Sequence, residues 1–132
     1  MVRCSFVIPS LDIGGAEHQL LNYVRHRPRD VQVDVFYMSE TGANLAQKFK
    51  EAGVTLHLVN RLDKSLPHFV LALYLSMKSA TPDVVCTFMH GTAGTFGRLC
   101  AFTLGVRRIY HSDRSVNPPV TYLHRVIRPV VD

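Results

Sequence analysis

The chain has neither of the two common phosphate-binding glycine signatures. Gly-x-Gly-x-x-Gly is absent, and no Gly-Lys-Ser/Thr follows the single glycine pair, Gly14-Gly15, so it has neither the dinucleotide fingerprint nor a P-loop. Cysteine is sparse: Cys4, Cys86 and Cys100 are widely spaced, odd in number and form no Cys-x-x-Cys. Neither a zinc site nor a disulfide framework is indicated, and three reduced core thiols in a reducing compartment are expected. Asp-x-Asp, His-Glu-x-x-His, a Ser-His-Asp order and a glycosidase-like carboxylate pair are also missing, so the residues by themselves specify no reaction and suggest no metal. The longest apolar run, Phe69 to Leu75, is far too short to cross a bilayer. Met1-Val2-Arg3 leads directly into a strand without the apolar stretch and cleavage site of a secretory signal, and a cytoplasmic location is expected.

What is present suits one globular domain with a real core. The chain has 132 residues, of which 47% are hydrophobic and 19% charged. Fifteen basic residues against 10 acidic leave a net charge of +5, which favours anionic partners: nucleotides, phosphates, acidic lipid surfaces or nucleic acid. Nucleic acid is set aside, because the aromatics are not interleaved with the basic residues and no nucleic-acid motif occurs.

Strand and helix patterns alternate along the chain. An apolar strand, Arg3 to Ile8, stops at Pro9, and a polar loop ending in Gly14-Gly15 leads into a helix, Gly15 to His26, with Ala16, Leu20, Leu21 and Val24 on one face. Val31 to Tyr37 forms the second strand. Leu45, Phe49 and Ala52 recur at helical spacing with Gly53 as the C-terminal cap, and Thr55 to Val59 is the third strand. Ser65 and Pro67 stand as N-cap and first turn of a helix, His68 to Ser79, that is apolar almost all round; such a helix is buried or docks on something apolar. Val84 to Met89, a helix from Thr92 to Leu104 capped by Gly105, and a strand from Val106 to His111 follow. Gly94 and Gly97 inside that helix suggest close backbone packing on the sheet. Asn117 and Pro118 open a further helix carrying Tyr122, Leu123, Val126, Ile127 and Val130, and the ending Pro129 to Asp132 resembles the approach to another strand.

The alternation predicts an α/β fold: a Rossmann-like open parallel sheet in the order 3-2-1-4-5, with helices on both faces. That order makes the first and fourth strands neighbours where the strand order reverses, so Gly14-Gly15 and His90 meet at one crevice on the carboxyl edge. The glycines either approach a ligand or serve only the turn. Glu17, in the first helical turn, complements the helix dipole unaided and repels a phosphate, so at a ligand it faces a sugar hydroxyl, a cationic side chain or solvent. His90 either hydrogen-bonds a ligand or is an ordinary loop histidine. Asp113 and Arg114 line the same edge or form a solvated loop, and His111 is as readily structural. Arg25-His26-Arg27-Pro28-Arg29 closes the first helix, where cations are stabilising without a partner. Arg61 and Lys64 flank the apolar entry Leu66-Pro67-His68-Phe69, which suits either an acidic membrane surface or a buried helix beside a solvated loop.

Gly14-Gly15-Ala16-Glu17 followed by Leu20-Leu21-Asn22 resembles the amino-terminal domain of GT-B glycosyltransferases of the family-4 type. Glu51-Ala52-Gly53-Val54, Pro82-Asp83-Val84-Val85 with His90, Gly105-Val106, and His111-Ser112-Asp113-Arg114 continue the resemblance in register over nearly the whole chain. The resemblance implies an acceptor-side domain of an enzyme that moves a sugar from a nucleotide-sugar to a glycan or lipid-linked acceptor, usually with retention of configuration. It implies that Gly14 and Gly15 approach the donor diphosphate or sugar, and that His90 contacts the sugar near the reacting carbon. No cofactor is implied beyond the nucleotide-sugar as donor substrate. A second, donor-binding domain with basic residues and Glu-x7-Glu is implied as partner, and residues 1–132 are expected to stop before the first domain's last strand and to be inactive alone. The reading from the residues alone, a stand-alone Rossmann-like nucleotide- or anion-binding module without catalysis, stays open beside it.

Overall fold

The computed structural model describes residues 2–11, 15–39, 45–61, 64–88, 92–112 and 127–129. Its elements in chain order are β1 (Val2–Ser10), α1 (Gly15–Arg25), β2 (Val31–Ser39), α2 (Ala46–Glu51), β3 (Thr55–Leu58), α3 (Leu66–Ala80), β4 (Val84–Phe88), α4 (Thr92–Thr103), β5 (Arg108–Ser112) and β6 (Ile127–Pro129). The sheet runs β3-β2-β1-β4-β5-β6, with the first five strands parallel and β6 antiparallel to β5. The expected Rossmann-like α/β fold and order are present. Of the helix expected to open at Asn117 and Pro118, residues 117–126 and Val130 lie outside the described residues, and Ile127 to Pro129 instead pair with Tyr110 to Ser112 as an edge strand. An edge position tolerates Pro129, whose missing N–H need not serve a ladder on both sides.

Side-chain alternation along the strands divides the core in two. Cys4, Phe6 and Ile8 of β1 join Val33 and Val35 of β2 under Leu20, Leu21 and Val24 of α1 and Phe49 of α2. Val7, Phe36 and Val85 point to the other face and meet Phe69, Leu73 and Met77 of α3 with Cys100 and Ala101 of α4. Right-handed crossovers in an order that reverses beside β1 require this division of helices between the faces.

β1 continues past Pro9 to Ser10, which pairs with Ser39. The proline is tolerated in a central strand because β4 pairs only with Cys4 to Val7, so no ladder on that side needs the Pro9 N–H. Ser65 stands at the N-cap of α3 with Pro at its first turn, but caps without a side-chain hydrogen bond; its carbonyl accepts from the Phe69 N–H at 2.9 Å. Gly53 adopts φ +84°, the left-handed geometry that ends a helix without a Cβ penalty.

All three cysteines are buried and free. Burial, then the charge of Asp34, pushes the Cys4 thiol up to about 11. Burial, then Cys4, pushes Cys86 up to about 12, and burial alone raises Cys100 to about 11. These are core side chains, protonated at neutral pH and without thiolate character.

Gly97 brings the α4 backbone onto the sheet. A Cβ at this position would sit 2.9 Å from Thr87 Cγ2 and 3.1 Å from Val7 Cγ1. Thr87 cannot give way cheaply, because it is fully buried and its Oγ1 lies 2.9 Å from His111 Nδ1. Gly97→Ala therefore lowers stability despite a helix-propensity gain of about 1 kcal/mol. The overpacking cost of about 1–3 kcal/mol exceeds that gain, and a thermal melt should show a midpoint several degrees lower.

Candidate functional site

The carboxyl edge of the sheet follows from the chain's direction. β1 and β4 are parallel neighbours in register from Cys4 with Val84 to Val7 with Thr87. The chain leaves β1 towards α1 on one face and leaves β4 towards α4 on the other. Both helices therefore begin at the same edge, on either side of the reversal in strand order, and both present amino-terminal N–H groups and positive dipole ends there. The two ends differ in charge: α1 carries Glu17 in its first turn, whereas α4 has no acidic residue there. A backbone hydrogen bond from Leu45 N–H to Leu11 C=O, 2.9 Å, ties the start of α2 to the end of β1 at this edge.

Of the residues expected to form the site, Gly15 opens α1, and Glu17 is partly exposed in the first turn. Gly14, His90, Asp113 and Arg114 lie outside the described residues. The strands that lead to them are in place. Ser10 ends β1, Phe88 ends β4 and Ser112 ends β5, on three consecutive strands. His111 is buried, and its Nδ1 lies 2.9 Å from Thr87 Oγ1 on the neighbouring strand, one residue before the end of β5.

A polar row that the sequence pattern signals only faintly lies inside the sheet. Asp34 is 4% exposed, and its Oδ1 lies 3.0 Å from His57 Nε2. The His57 ring stacks on Phe36 with centroids 4.5 Å apart, so the imidazole is held on two sides. Ser5 is the β1 neighbour of Asp34, and Ser5 Oγ and Asp34 Oδ2 are buried without a hydrogen-bond partner among the described residues. Serine, aspartate and histidine on adjacent strands suggest a hydrolytic triad, but their order excludes one. The carboxylate is central, and Ser5 and His57 lie two strand spacings apart, about 9–10 Å, beyond reach of a proton transfer. The hint available beforehand was a lone aspartate in the apolar run Val31 to Tyr37, paired with a histidine in the next strand.

The basic cluster after α1 is a structural device. Arg27 Nη1 donates to the carbonyls of Val24 at 2.5 Å and Ala52 at 3.0 Å, and its Nε donates to Val31 C=O at 3.0 Å. One guanidinium thus joins the carboxyl ends of α1 and α2 to the start of β2, satisfying carbonyls that helix termini leave open. His26 Nδ1 meets Asn22 C=O at 2.8 Å. Grooves among the described residues include one of 570 Å³ between α3 and α4 and one of 390 Å³ beside Asp83, Arg107 and Arg108 at the amino edge. Among the described residues no group of three His, Cys, Asp or Glu side chains is placed to hold a metal ion.

Comparison with known proteins places the fold and leaves the family open. No protein-family profile and no curated protein matches the chain. Among solved structures it is similar to MurG of Acinetobacter baumannii, with a TM-score of 0.64 and 16% identity over 96% of this chain and 40% of that one. Phosphoribosylglycinamide formyltransferase from Brucella melitensis gives 0.60 with 20% identity, covering 94% and 64%. UDP-GlcNAc 2-epimerase from Neisseria meningitidis, solved bound to UDP-GlcNAc, gives 0.58 with 13% identity, covering 92% and 35%. The chain spans less than two thirds of the length of each of these three structures. At these identities the likeness shows the fold: a Rossmann-like α/β domain resembling those of GT-B-like proteins.

The structural role of Arg27 has a measurable consequence. Arg27→Gln should lower unfolding free energy in urea by about 2 kcal/mol, because three carbonyls lose a charged donor. Arg29→Gln, at an exposed neighbour, should stay within about 0.5 kcal/mol of the parent.

Proposed function

We propose that the chain is the acceptor-side, amino-terminal domain of a retaining glycosyltransferase that moves a sugar from a nucleotide-sugar to a glycan or lipid-linked acceptor. The observation that carries this reading is the juxtaposition of β1 and β4 at the strand-order reversal, with α1 and α4 both opening onto it. The ordered motif series from Gly14-Gly15-Ala16-Glu17 to His111-Ser112-Asp113-Arg114 supports a glycosyltransferase over the formyltransferases, whose fold is nearly as similar.

Within this reading the two helix ends divide the work. The α4 terminus, free of acidic residues in its first turn, receives anionic charge from the donor. The α1 terminus, with Glu17, accepts hydrogen bonds from a sugar hydroxyl. Gly14 and Gly15 let backbone approach the ligand, His90 hydrogen-bonds the sugar near the reacting carbon, and Asp113 and Arg114 extend the wall beyond β5. Donor affinity resides mainly in a second domain, so this chain alone binds nucleotide-sugars weakly and transfers nothing. A cytoplasmic enzyme working at the inner face of a membrane accords with a lipid-linked acceptor.

Calorimetry with nucleoside-diphosphate sugars, together with a radiolabelled transfer assay, tests this. Dissociation constants in the millimolar range and no transfer are expected. His90→Ala should weaken the residual binding about tenfold, the worth of one hydrogen bond, with an unchanged thermal melt. Turnover by the chain alone would contradict the half-site reading. Tight binding without chemistry would establish the stand-alone nucleotide-binding module instead.

A further inference from the structure

The two helical layers meet solvent very differently. On α1 and α2 the exposed positions are mostly polar: His18, Gln19, Asn22, Arg25, Gln47, Lys48, Lys50 and Glu51, with Tyr23 the aromatic exception. On α3 and α4 large apolar side chains face outward: Leu66 at 42% exposure, Leu71 at 52%, Leu75 at 53%, Leu99 at 50% and Phe102 at 58%. Of the two expectations for α3, burial or docking on something apolar, burial alone does not account for the helix. Phe69, Leu73, Met77 and Ala80 fill the core, and the remaining apolar side chains form a second, outward surface.

Helical spacing organises that surface. Leu71 and Leu75 lie four residues apart on one stripe of α3, continued by His68 towards its start and Lys78 towards its end, both exposed. Leu99 and Phe102 form the matching stripe on α4, with the partly exposed Arg98 beside them. The groove between the helices is lined by Leu66, Val70, Leu71, Tyr74, Phe96 and Leu99. Neither helix contains an aspartate or glutamate. At the entry to α3, Arg61 is held over the Phe69 ring, 5.5 Å from its centroid, and donates to Lys64 C=O at 2.9 Å. Basic side chains therefore border the apolar stripes, with no acidic side chain on either helix.

We infer that the α3–α4 face is a docking surface for an anionic lipid bilayer, with Leu71, Leu75, Leu99 and Phe102 entering the headgroup boundary. The charge pattern selects the occupant. A second copy of the chain would bring like charges together around a patch whose helices carry no acid to pair with them. Acidic headgroups supply the missing counter-charge, and the acyl boundary covers the leucines. Among the described residues no helix is long and apolar enough to cross a membrane, so binding through this face is peripheral. The inference does not depend on the glycosyltransferase reading.

Vesicle flotation of the 132-residue chain tests it. Vesicles containing phosphatidylglycerol should carry the protein, pure phosphatidylcholine vesicles should not, and raised salt should weaken the binding. Leu71→Gln and Leu75→Gln should each reduce vesicle affinity about tenfold, and Lys78→Gln about fivefold. Because these side chains are exposed, the thermal melt and the calorimetric titration with nucleotide-sugar should be unchanged. Failure to float with anionic vesicles, equal flotation on neutral ones, or full binding by the leucine variants would each overturn the inference. So would a dimer seen by analytical ultracentrifugation that Leu75→Gln dissociates, since the face would then belong to a second copy.

Discussion

The pairing of β1 with β2 on one side and β4 on the other decides which parts of this chain meet. Residues Cys4 to Ile8 are buried on both faces, so each side chain of the strand belongs to one core or the other. A one-residue slip would exchange the two sets. Phe6 would then face α4, where Val7 already lies 3.1 Å from the position of a Gly97 Cβ and a phenyl ring has no room. Close approach of a glycine on one helix thus pins the register of the central strand. The same register places the carboxyl ends of β1 and β4 side by side, so the fold's packing constraint and the proposed ligand crevice have one origin.

Polar groups inside this framework are matched to its geometry. Asp34 with His57 and Thr87 with His111 bridge neighbouring strands on the face covered by α3 and α4. Asp34 lies in the middle of β2, whereas Thr87 and His111 each stand one residue before the carboxyl ends of β4 and β5. Arg27 does comparable work at the opposite edge, where carbonyls from two helix ends and a strand converge on one guanidinium. A net charge of +5 therefore gives a poor map of anion sites, since part of the basic content is consumed by backbone carbonyls. The cations that border the α3–α4 stripes stand beside exposed leucines, although Arg61, Lys64 and Arg98 also donate to backbone carbonyls and Lys78 lies in the last turn of α3.

Much of the architecture was legible because its signals are local. Period-two and helical spacing located β1 to β5 and α1 to α4 to within a few residues, and Gly53 and Gly105 marked two helix ends, both with positive φ. The strand order followed from handedness, which needs no side-chain detail. What escaped depends on contacts between distant residues. The extension of β1 past Pro9 reflects how short β4 is, and the β6 pairing depends on an antiparallel return that no local pattern encodes. Asp34 and His57 looked like unrelated strand residues until β2 and β3 were aligned. Apolar content alone did not reveal which side of α3 stays exposed, because that depends on where α4 lies. Of the candidate site, the placement of Gly15 and Glu17 at the start of α1 was legible, as was the adjacency of the strands leading to Gly14 and His90; the roles of those side chains were not.

The proposed function places ligand recognition in the crevice at the carboxyl ends of β1 and β4. Amide chemical-shift mapping during titration with a nucleoside-diphosphate sugar tests it most directly, since it reads location even at weak affinity. Changes should concentrate at Ser10, Leu11, Gly15, Glu17, Phe88 and Thr92, the described residues at the ends of β1 and β4 and the starts of α1 and α4. Changes centred on Val2, Asp83, Arg107 and Arg108 at the amino edge, or no saturable change at all, would contradict it.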